Sequence, residues 1–576
     1  MKTLFIAINA KYIHTNLAVR YMQLLAEQNG FNNTAIAEYT INHRIPQLVR
    51  EIYLTKADHM IFSCYIWNIE MILELCCQLK MLLPLSKLIL AGPEVSYNSI
   101  ELLQKHSFID GIIRGEGEPS LLPLLKHLQS GTCAQTVPSF TYRNECTLCQ
   151  TNPEPLIPLS QLPFPYPDLQ KEKNRILYFE CTRGCPFQCS YCLSSIENRV
   201  RYMPLEQVFT SLDLFLKHNV RQVKFVDRTF NCNKKYALAI WRYLKEHDNG
   251  ITNFHFEIAG ELLDKDTISF LSKIRKGQFQ FEVGVQSTNP QTLSAITRNM
   301  KTEQLLDICK QIDYRGNIHL HLDLIAGLPF ENIESFKNSF NQVFKIRPQQ
   351  LQLGFLKVLK GSAMHRNANQ YGMTYTPKAP YEILETKWLS FKEIIFLKDI
   401  EEMVNLYYNS GRFHHIIEHM LQQFTTPFDF FAQLGTYYTE NKYHLLQHAK
   451  EQYYEILREF WQSTNRIFTS EMEQLCIYDI CLHEKPKKLP SFTDNTYQKK
   501  YRDWIFQFYE VPQHIKAYLA NYIHESPKRI AKITHLQLFP FHPETNAAIP
   551  TAILFDYRQR DITGKAHHQI LPLLPS

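Results

Sequence analysis

The chain has 576 residues, 45% hydrophobic and 20% charged, which supplies several packed cores and excludes a disordered tail. Its net charge of +6, from 62 basic and 56 acidic side chains, is too small over this length to imply a nucleic-acid partner without a clustered patch. No uninterrupted apolar run of about eighteen residues exists, so no membrane span is expected.

The chain starts with an apolar run over 4–8 and no secretory h-region, so it reads as a first strand of a cytoplasmic protein. In that compartment the 14 cysteines read as metal ligands, catalytic thiols or core residues rather than disulfides. Over 1–135 the sequence predicts strands at 4–9, 34–39, 60–65, 87–92 and 111–114, with amphipathic helices at 17–28 and 68–83 between them. That alternation predicts a doubly wound parallel sheet. Its unusual residues fall after the strands: Lys11-Tyr12-Ile13-His14, Ser63-Cys64-Tyr65, Gly92-Pro93-Glu94 and Gly115-Glu116-Gly117-Glu118. The carboxyl rim is where open α/β sheets bind ligands.

Residues 136–175 read as a proline-rich connector, with Cys146 and Cys149 in a CxxC on a hairpin. Six β/α beats follow over 176–370, with strands at 176–180, 222–227, 254–259, 279–285, 318–324 and 350–356. Helical patterns at 205–217, 234–245, 302–314 and 333–344 separate them. Six units are too few for a closed eight-stranded barrel, so a partial barrel with its site at the strand carboxyl ends is expected. From 371 to 576 the pattern is mainly helical, at 381–409, 413–424, 443–461 and 472–481, with a β-like tail over 530–555 and no motif that assigns a purpose.

One run carries chemistry: Glu180-Cys181-Thr182-Arg183-Gly184-Cys185-Pro186-Phe187-Gln188-Cys189-Ser190-Tyr191-Cys192. Cys185, Cys189 and Cys192 have CxxxCxxC spacing directly after a predicted strand, and three thiolates in one loop can hold three irons of a 4Fe–4S cluster. The fourth iron is then open to a chelating substrate. A zinc site pairing Cys146/Cys149 with Cys189/Cys192 is the competing structural reading, and it leaves Cys185 unexplained.

The cysteine run resembles that of the radical S-adenosylmethionine superfamily. The resemblance implies S-adenosylmethionine on the open iron, cleaved by one electron to methionine and a 5′-deoxyadenosyl radical. It also implies a flavodoxin- or ferredoxin-type electron donor. Tyr191 matches the family's aromatic beside the adenine. Asp227, at the end of the second barrel strand, and Glu257 on the third are candidates for the same cofactor. Glu282-Val283-Gly284-Val285-Gln286-Ser287 resembles a fourth-strand GxQS signature, which adds Gln286 and Ser287, and Asp323-Leu324-Ile325-Ala326-Gly327-Leu328-Pro329 resembles the fifth-strand DxIxGLP. Cys181 falls too early for the family pattern and reads as a spectator.

The N-terminal part, with GPE after strand four and GEGE after strand five, resembles the cobalamin-binding-domain members of this superfamily, in a group with an uncharacterised helical C-terminal domain. By that resemblance the fold is α/β, a flavodoxin-like sheet followed by a partial (β/α)6 barrel and the helical domain. Ser63, Gly92, Pro93, Glu94, Gly115 and Glu116 are then the candidate cobalamin contacts. The Asp-x-His-x-x-Gly motif that supplies an axial histidine in many cobalamin domains is absent. The expected function is radical chemistry on an unactivated carbon, with cobalamin-dependent methyl transfer or rearrangement as the outcome. An RNA-modifying, methylthiotransferase-like enzyme and a non-catalytic zinc or cluster scaffold are the alternatives. The substrate is unassigned, and no nucleic-acid or membrane partner is expected.

Overall fold

The computed structural model describes residues 1–572 except 145, 146, 198, 314, 546 and 562. The chain divides into two compact units, residues 1–336 with 354–391 and residues 337–353 with 392–576.

The first unit opens with five parallel strands, β1 (Thr3–Asn9), β2 (Thr34–Thr40), β3 (His59–Ser63), β4 (Lys87–Ala91) and β5 (Gly111–Ile113). All seven residues of β1 are buried, as expected of a central strand covered on both faces. Its period-two alternation sends Leu4, Ile6 and Ile8 into one apolar layer, against helices Ile45–Leu54 and Ile69–Leu82. Phe5 and Ala7 enter the other, against helices Leu17–Gln28 and Glu118–Ser130.

The connector extends this sheet beyond the five expected strands. β6 (Phe140–Asn144) and β7 (Thr147–Gln150) add antiparallel at the β5 edge, giving the order β2-β1-β3-β4-β5-β6-β7. Phe140 and Tyr142 join the second apolar layer, and their strand covers an edge only three residues long. Strand order reverses between β1 and β3, the switch point where such sheets open a crevice.

The second sheet has the order β15-β14-β13-β12-β11-β8. Its strands are β8 (Leu177–Phe179), β11 (Gln222–Phe225), β12 (Asn253–Ile258), β13 (Phe279–Gln286), β14 (His319–Ala326) and β15 (Gln350–Phe355). Between β8 and β11 lies a two-residue antiparallel ribbon, β9 (Thr182–Arg183) with β10 (Arg201–Tyr202). On β14, Leu320, Leu322 and Leu324 are fully buried, while His319, His321 and Asp323 alternate with them onto the other face. Behind the sheet, Phe225, Phe230, Phe256 and Trp241 pack with ring centroids 4.4–6.1 Å apart.

The two sheets of the first unit are tied by polar groups. Arg20 reaches Glu38 at 2.7 Å and Glu172 at 2.8 Å, and Arg175 reaches the same two carboxylates at 3.0 and 3.1 Å. Tyr166 Oη donates to Tyr178 O at 2.7 Å and lies 2.9 Å from Thr15 Oγ1.

In the second unit, helix Ser470–His483 is buried continuously from Gln474 to Leu482, as befits a helix packed on every side. A three-stranded antiparallel sheet, Thr534–Phe539, Thr551–Arg560 and Ala566–Leu571, packs on it through Phe539, Ile553 and Phe555. The helix expected from 381 begins only at Phe391, in Phe391–Met403. Pro377 and Pro380 lie in the loop that joins Thr374–Tyr375 to Ile383–Glu385 in a small ribbon, where a helix would lose its hydrogen bonds. Among the described residues no helix is long and apolar enough to cross a membrane.

Candidate functional site

β8 delivers the chain to the cysteine loop at the carboxyl edge of the second sheet. Gly184 has φ +94°, and a Cβ there would lie 2.3 Å from Arg199 O, a backbone atom that cannot step aside. Farther on, the Ser190 amide donates to Ile296 O at 3.0 Å, and the Met364 amide donates to Ser190 O at 2.8 Å. Cys185 and Cys189 are buried, Cys192 is half-buried, and all the described cysteines are free. Cys185 Sγ lies 3.3 Å from Thr229 Oγ1, and Arg298 Nη1 lies 4.0 Å from Cys189 Sγ. Burial pushes the Cys189 thiol up, and the Arg298 cation offsets only part of that rise. Gly184→Ala is expected to displace this loop, so that iron bound after reconstitution falls to the level of a cysteine-to-alanine variant; iron analysis checks it.

The sequence-predicted cofactor residues separate into distinct environments. Tyr191 is half-buried beside Cys189, its phenol pushed up by desolvation. Asp227 is fully buried and spends its carboxylate on the cysteine loop. It accepts from the Cys181 amide at 3.2 and 3.3 Å, Cys181 Sγ at 3.1 Å and Thr182 Oγ1 at 2.5 Å. Burial raises it to about 6 in spite of these donors. Cys181 is thereby engaged within the protein, its thiol pushed well up by burial and by Asp227.

Gln286 sits at φ +69°, a left-handed conformation that strains a non-glycine residue, with Oε1 buried and unpartnered. Ser287 Oγ donates to buried Glu331 Oε1 at 2.5 Å. Glu257 projects into the lumen of the sheet, 3.8 Å from Lys224 Nζ, and burial beside Glu282 raises it to about 7.

On the rim of the first sheet, Gly92 has φ +118°, and a Cβ there would lie 2.5 Å from Cys64 O. Ser96 Oγ donates to Gly92 O at 2.8 Å and accepts from the Gly115 amide at 2.9 Å, joining the β4 and β5 loops. Ser63 is buried, and Pro93 and Gly115 are exposed. Glu94 accepts from Tyr381 Oη. Glu116 is paired with Arg183 at 2.8 Å and with Arg201. His14 Nδ1 lies 2.8 Å from Tyr178 Oη, which ties the first-strand loop to β8. Cys149 packs partly buried against the first sheet, and Cys146 lies outside the described residues.

Sequence reasoning passed over several residues that the fold brings in. Arg298 comes from the turn after helix Pro290–Ala295, and Thr229 from the loop after β11. Arg183, two residues before Cys185, is held by Glu118 and Glu180 at 2.7 Å each besides Glu116. Lys224, His255 and His321 line the lumen beside Glu282; their placement on alternate strand positions was the only signal in the sequence.

The residues present fit the implied groups. Three free thiols in one loop, held by a glycine that tolerates no Cβ and faced by a cation, suit an anionic thiolate-bound cluster. Beside them, Gln286 Oε1, Asp323 Oδ1 and Glu261 Oε2 are buried acceptors without a protein partner, as a cofactor with an amino group requires. The rim of the first sheet packs the Gly92 turn tightly on Cys64 and leaves open space at Gly115, and the rings of Tyr12, Trp67 and Tyr97 in its loops are exposed. That surface suits a large flat ligand at the switch point.

Three family models match consecutive stretches: B12 binding domain over residues 3–124, Radical SAM superfamily over 179–343, and a protein of unknown function, DUF4080, over 369–555. The cobalamin-dependent radical SAM methyltransferase TokK of Streptomyces tokunonensis is 24% identical over 365 residues, 57% of this chain and 51% of that protein. An uncharacterized methyltransferase, PH0819 of Pyrococcus horikoshii, is 27% identical over 258 residues, 43% of this chain and 55% of that protein. The chain spans about half the length of the curated relatives it matches. Among solved structures, the cobalamin-dependent S-adenosylmethionine radical enzyme OxsB with aqua-cobalamin bound shares the fold at TM-score 0.58 and 15% identity, over 81% of this chain and 76% of that one. The radical S-adenosylmethionine methyltransferase TsrM from Kitasatospora setae, with cobalamin and a [4Fe-4S] cluster bound, does so at TM-score 0.53 and 14% identity, over 66% and 76%. These matches bear out the resemblance read from the motifs: residues 179–343 match the Radical SAM superfamily, with a B12 binding domain match ahead of them and the DUF4080 match behind.

Proposed function

We propose that this protein is a cobalamin-dependent radical S-adenosylmethionine enzyme that methylates an unactivated carbon, with Cys185, Cys189 and Cys192 holding a 4Fe–4S cluster. A cluster held there supplies the electron that cleaves S-adenosylmethionine to methionine and a 5′-deoxyadenosyl radical, and cobalamin on the first sheet supplies the methyl group. The carrying observation is the cysteine loop, in which three free thiols are fixed at the sheet's carboxyl edge by Gly184 and by backbone ties at Ser190.

The chain's own residues set the conditions for that chemistry. Asp227 braces the start of the loop through the Cys181 amide and the Thr182 hydroxyl. Arg298 places a cation beside Cys189, which favours the thiolate. Gln286 and Asp323 leave acceptors facing the same edge for the amino group of the cofactor. The aromatic layer of Phe225, Phe230, Phe256 and Trp241 backs the strands and keeps water from that side. The free thiols of the described cysteines suit a reducing compartment such as the cytoplasm, where a flavodoxin- or ferredoxin-type donor would reduce the cluster.

The test is anaerobic: reconstitute with iron, sulfide and hydroxocobalamin, add reductant and S-adenosylmethionine, and assay 5′-deoxyadenosine and bound cobalamin. Deoxyadenosine from a cobalamin-loaded protein is the expected result. A protein that takes up zinc and refuses iron and sulfide would sink the cluster reading. One that forms deoxyadenosine yet retains no cobalamin would sink the methyl-transfer part.

A further inference from the structure

Inside the second sheet lies a polar group that the cysteine loop does not use. Glu282 on β13 stands in register with Glu257 on β12 and with His321 on β14. His255, two positions before Glu257, places Nε2 3.0 Å from Glu282 Oε2. The rings of His255 and His321 are 5.2 Å apart, edge to face. One donor atom from each of His255, Glu282 and His321 lies within 4.8 Å of the other two. His321 Nε2 is buried without a protein partner, as is Asp323 Oδ1 next along the same strand face. A buried imidazole nitrogen with no partner is rare unless something outside the protein completes it.

We propose that His255, Glu282 and His321 form a binding site for a divalent transition-metal ion of the zinc type, separate from the cluster cysteines. Two imidazoles and a carboxylate are a common ligand set for such ions, and three protein ligands leave positions open to water or substrate. Adjacent parallel strands fix the three side chains in a rigid frame, as metal sites need. Lys224 opposes the ion: its ammonium lies 3.0 Å from the same Glu282 oxygen that faces His255. Metal and ammonium therefore compete for Glu282, and the site takes the ion as Lys224 withdraws toward Glu257, 3.8 Å away.

The probe is Co2+, with Zn2+ as competitor, added to a Cys185→Ala/Cys189→Ala/Cys192→Ala variant so that no cluster iron intervenes. One Co2+ per chain with visible bands of nitrogen and oxygen coordination, and without sulfur charge-transfer absorption, is expected. His255→Ala or His321→Ala should weaken it more than about 100-fold, beyond the ~10–100-fold of an outer-shell change. Lys224→Met should tighten it by removing the competing charge. Binding equal in the triple-cysteine variant and in its His255→Ala/His321→Ala derivative overturns the proposal, as does a Lys224→Met change that leaves affinity unaltered. Far-UV circular dichroism on each variant establishes folding. If the triple variant does not fold, cluster-free wild-type protein gives the same readings, with sulfur bands separating cysteine-bound cobalt. Because the cluster plays no part, failure here leaves the radical reading standing, and the reverse.

Discussion

Alanine at Cys185, Cys189 or Cys192, one at a time, is expected to leave reconstituted protein without a 4Fe–4S signal and to reduce deoxyadenosine formation to background. Each thiol has a separate iron to hold, and the loop offers no described substitute: Cys181 is turned away, its Sγ 3.1 Å from Asp227 Oδ1 in a fully buried site. Cys181→Ala is the contrasting case. It removes one of the donors to Asp227 and costs stability of about 1–3 kcal/mol, the usual range for a buried group that loses a partner. Cluster content should persist. Iron and sulfide per chain, with electron paramagnetic resonance of the reduced protein, separate the two outcomes. A cluster that survives Cys185→Ala and disappears with Cys181→Ala would reverse the ligand assignment.

The largest expected loss of stability comes from Arg183. Its guanidinium, 15% exposed, holds Glu116, Glu118 and Glu180 at 2.7–2.8 Å. Arg183→Met leaves buried carboxylates without their cation, a change that costs about 3–5 kcal/mol at a buried ion pair. The effect depends on pH in a direction that can be worked out. Burial opposes ionisation of Glu118, but Arg183 outweighs it, so the carboxyl lies below its ordinary value of 4.5. The resulting stability is fully present above pH 4.5 and is lost as pH falls through the lower folded value. In the variant burial is opposed only by a backbone N–H and by Arg201, so Glu118 moves up from its wild-type value and less of the stability depends on its ionised form. The gap between wild type and variant should therefore narrow on acidification from pH 7 toward 4, a trend that urea unfolding at several pH values measures. An unchanged gap would remove Glu118 from the account.

What the sequence revealed depended on how local the signal was. Helices Leu17–Gln28 and Leu205–Lys217 fall at their expected residues because apolar spacing within one segment decides them. The cysteine spacing is equally local, and it stood out before any fold was known. The lumen group of Lys224, His255, Glu282 and His321 did not, since it depends on the register of four strands. Arg298 beside Cys189 comes from a turn more than a hundred residues downstream, and nothing in its own neighbourhood marks it. The hairpin of β6 and β7 was legible as a hairpin. Its pairing to β5 was not, because edge addition is decided by what the edge lacks rather than by the hairpin's own sequence.

The lattice of Arg20, Glu38, Glu172 and Arg175 bears on how this protein can be taken apart. A consecutive series of domains invites exchange of whole segments between relatives, with joints placed in the proline-rich stretch. Here the joint is the wrong place to cut. Glu172 and Arg175 sit at the end of that stretch and complete the charges of Arg20 and Glu38, so a joint placed before 172 parts two largely buried ions on one side from two on the other. Tyr166, which bridges Thr15 and Tyr178, loses one of these two partners wherever in the stretch the joint falls. A working chimera has to carry residues 14–38 and 166–178 from one parent.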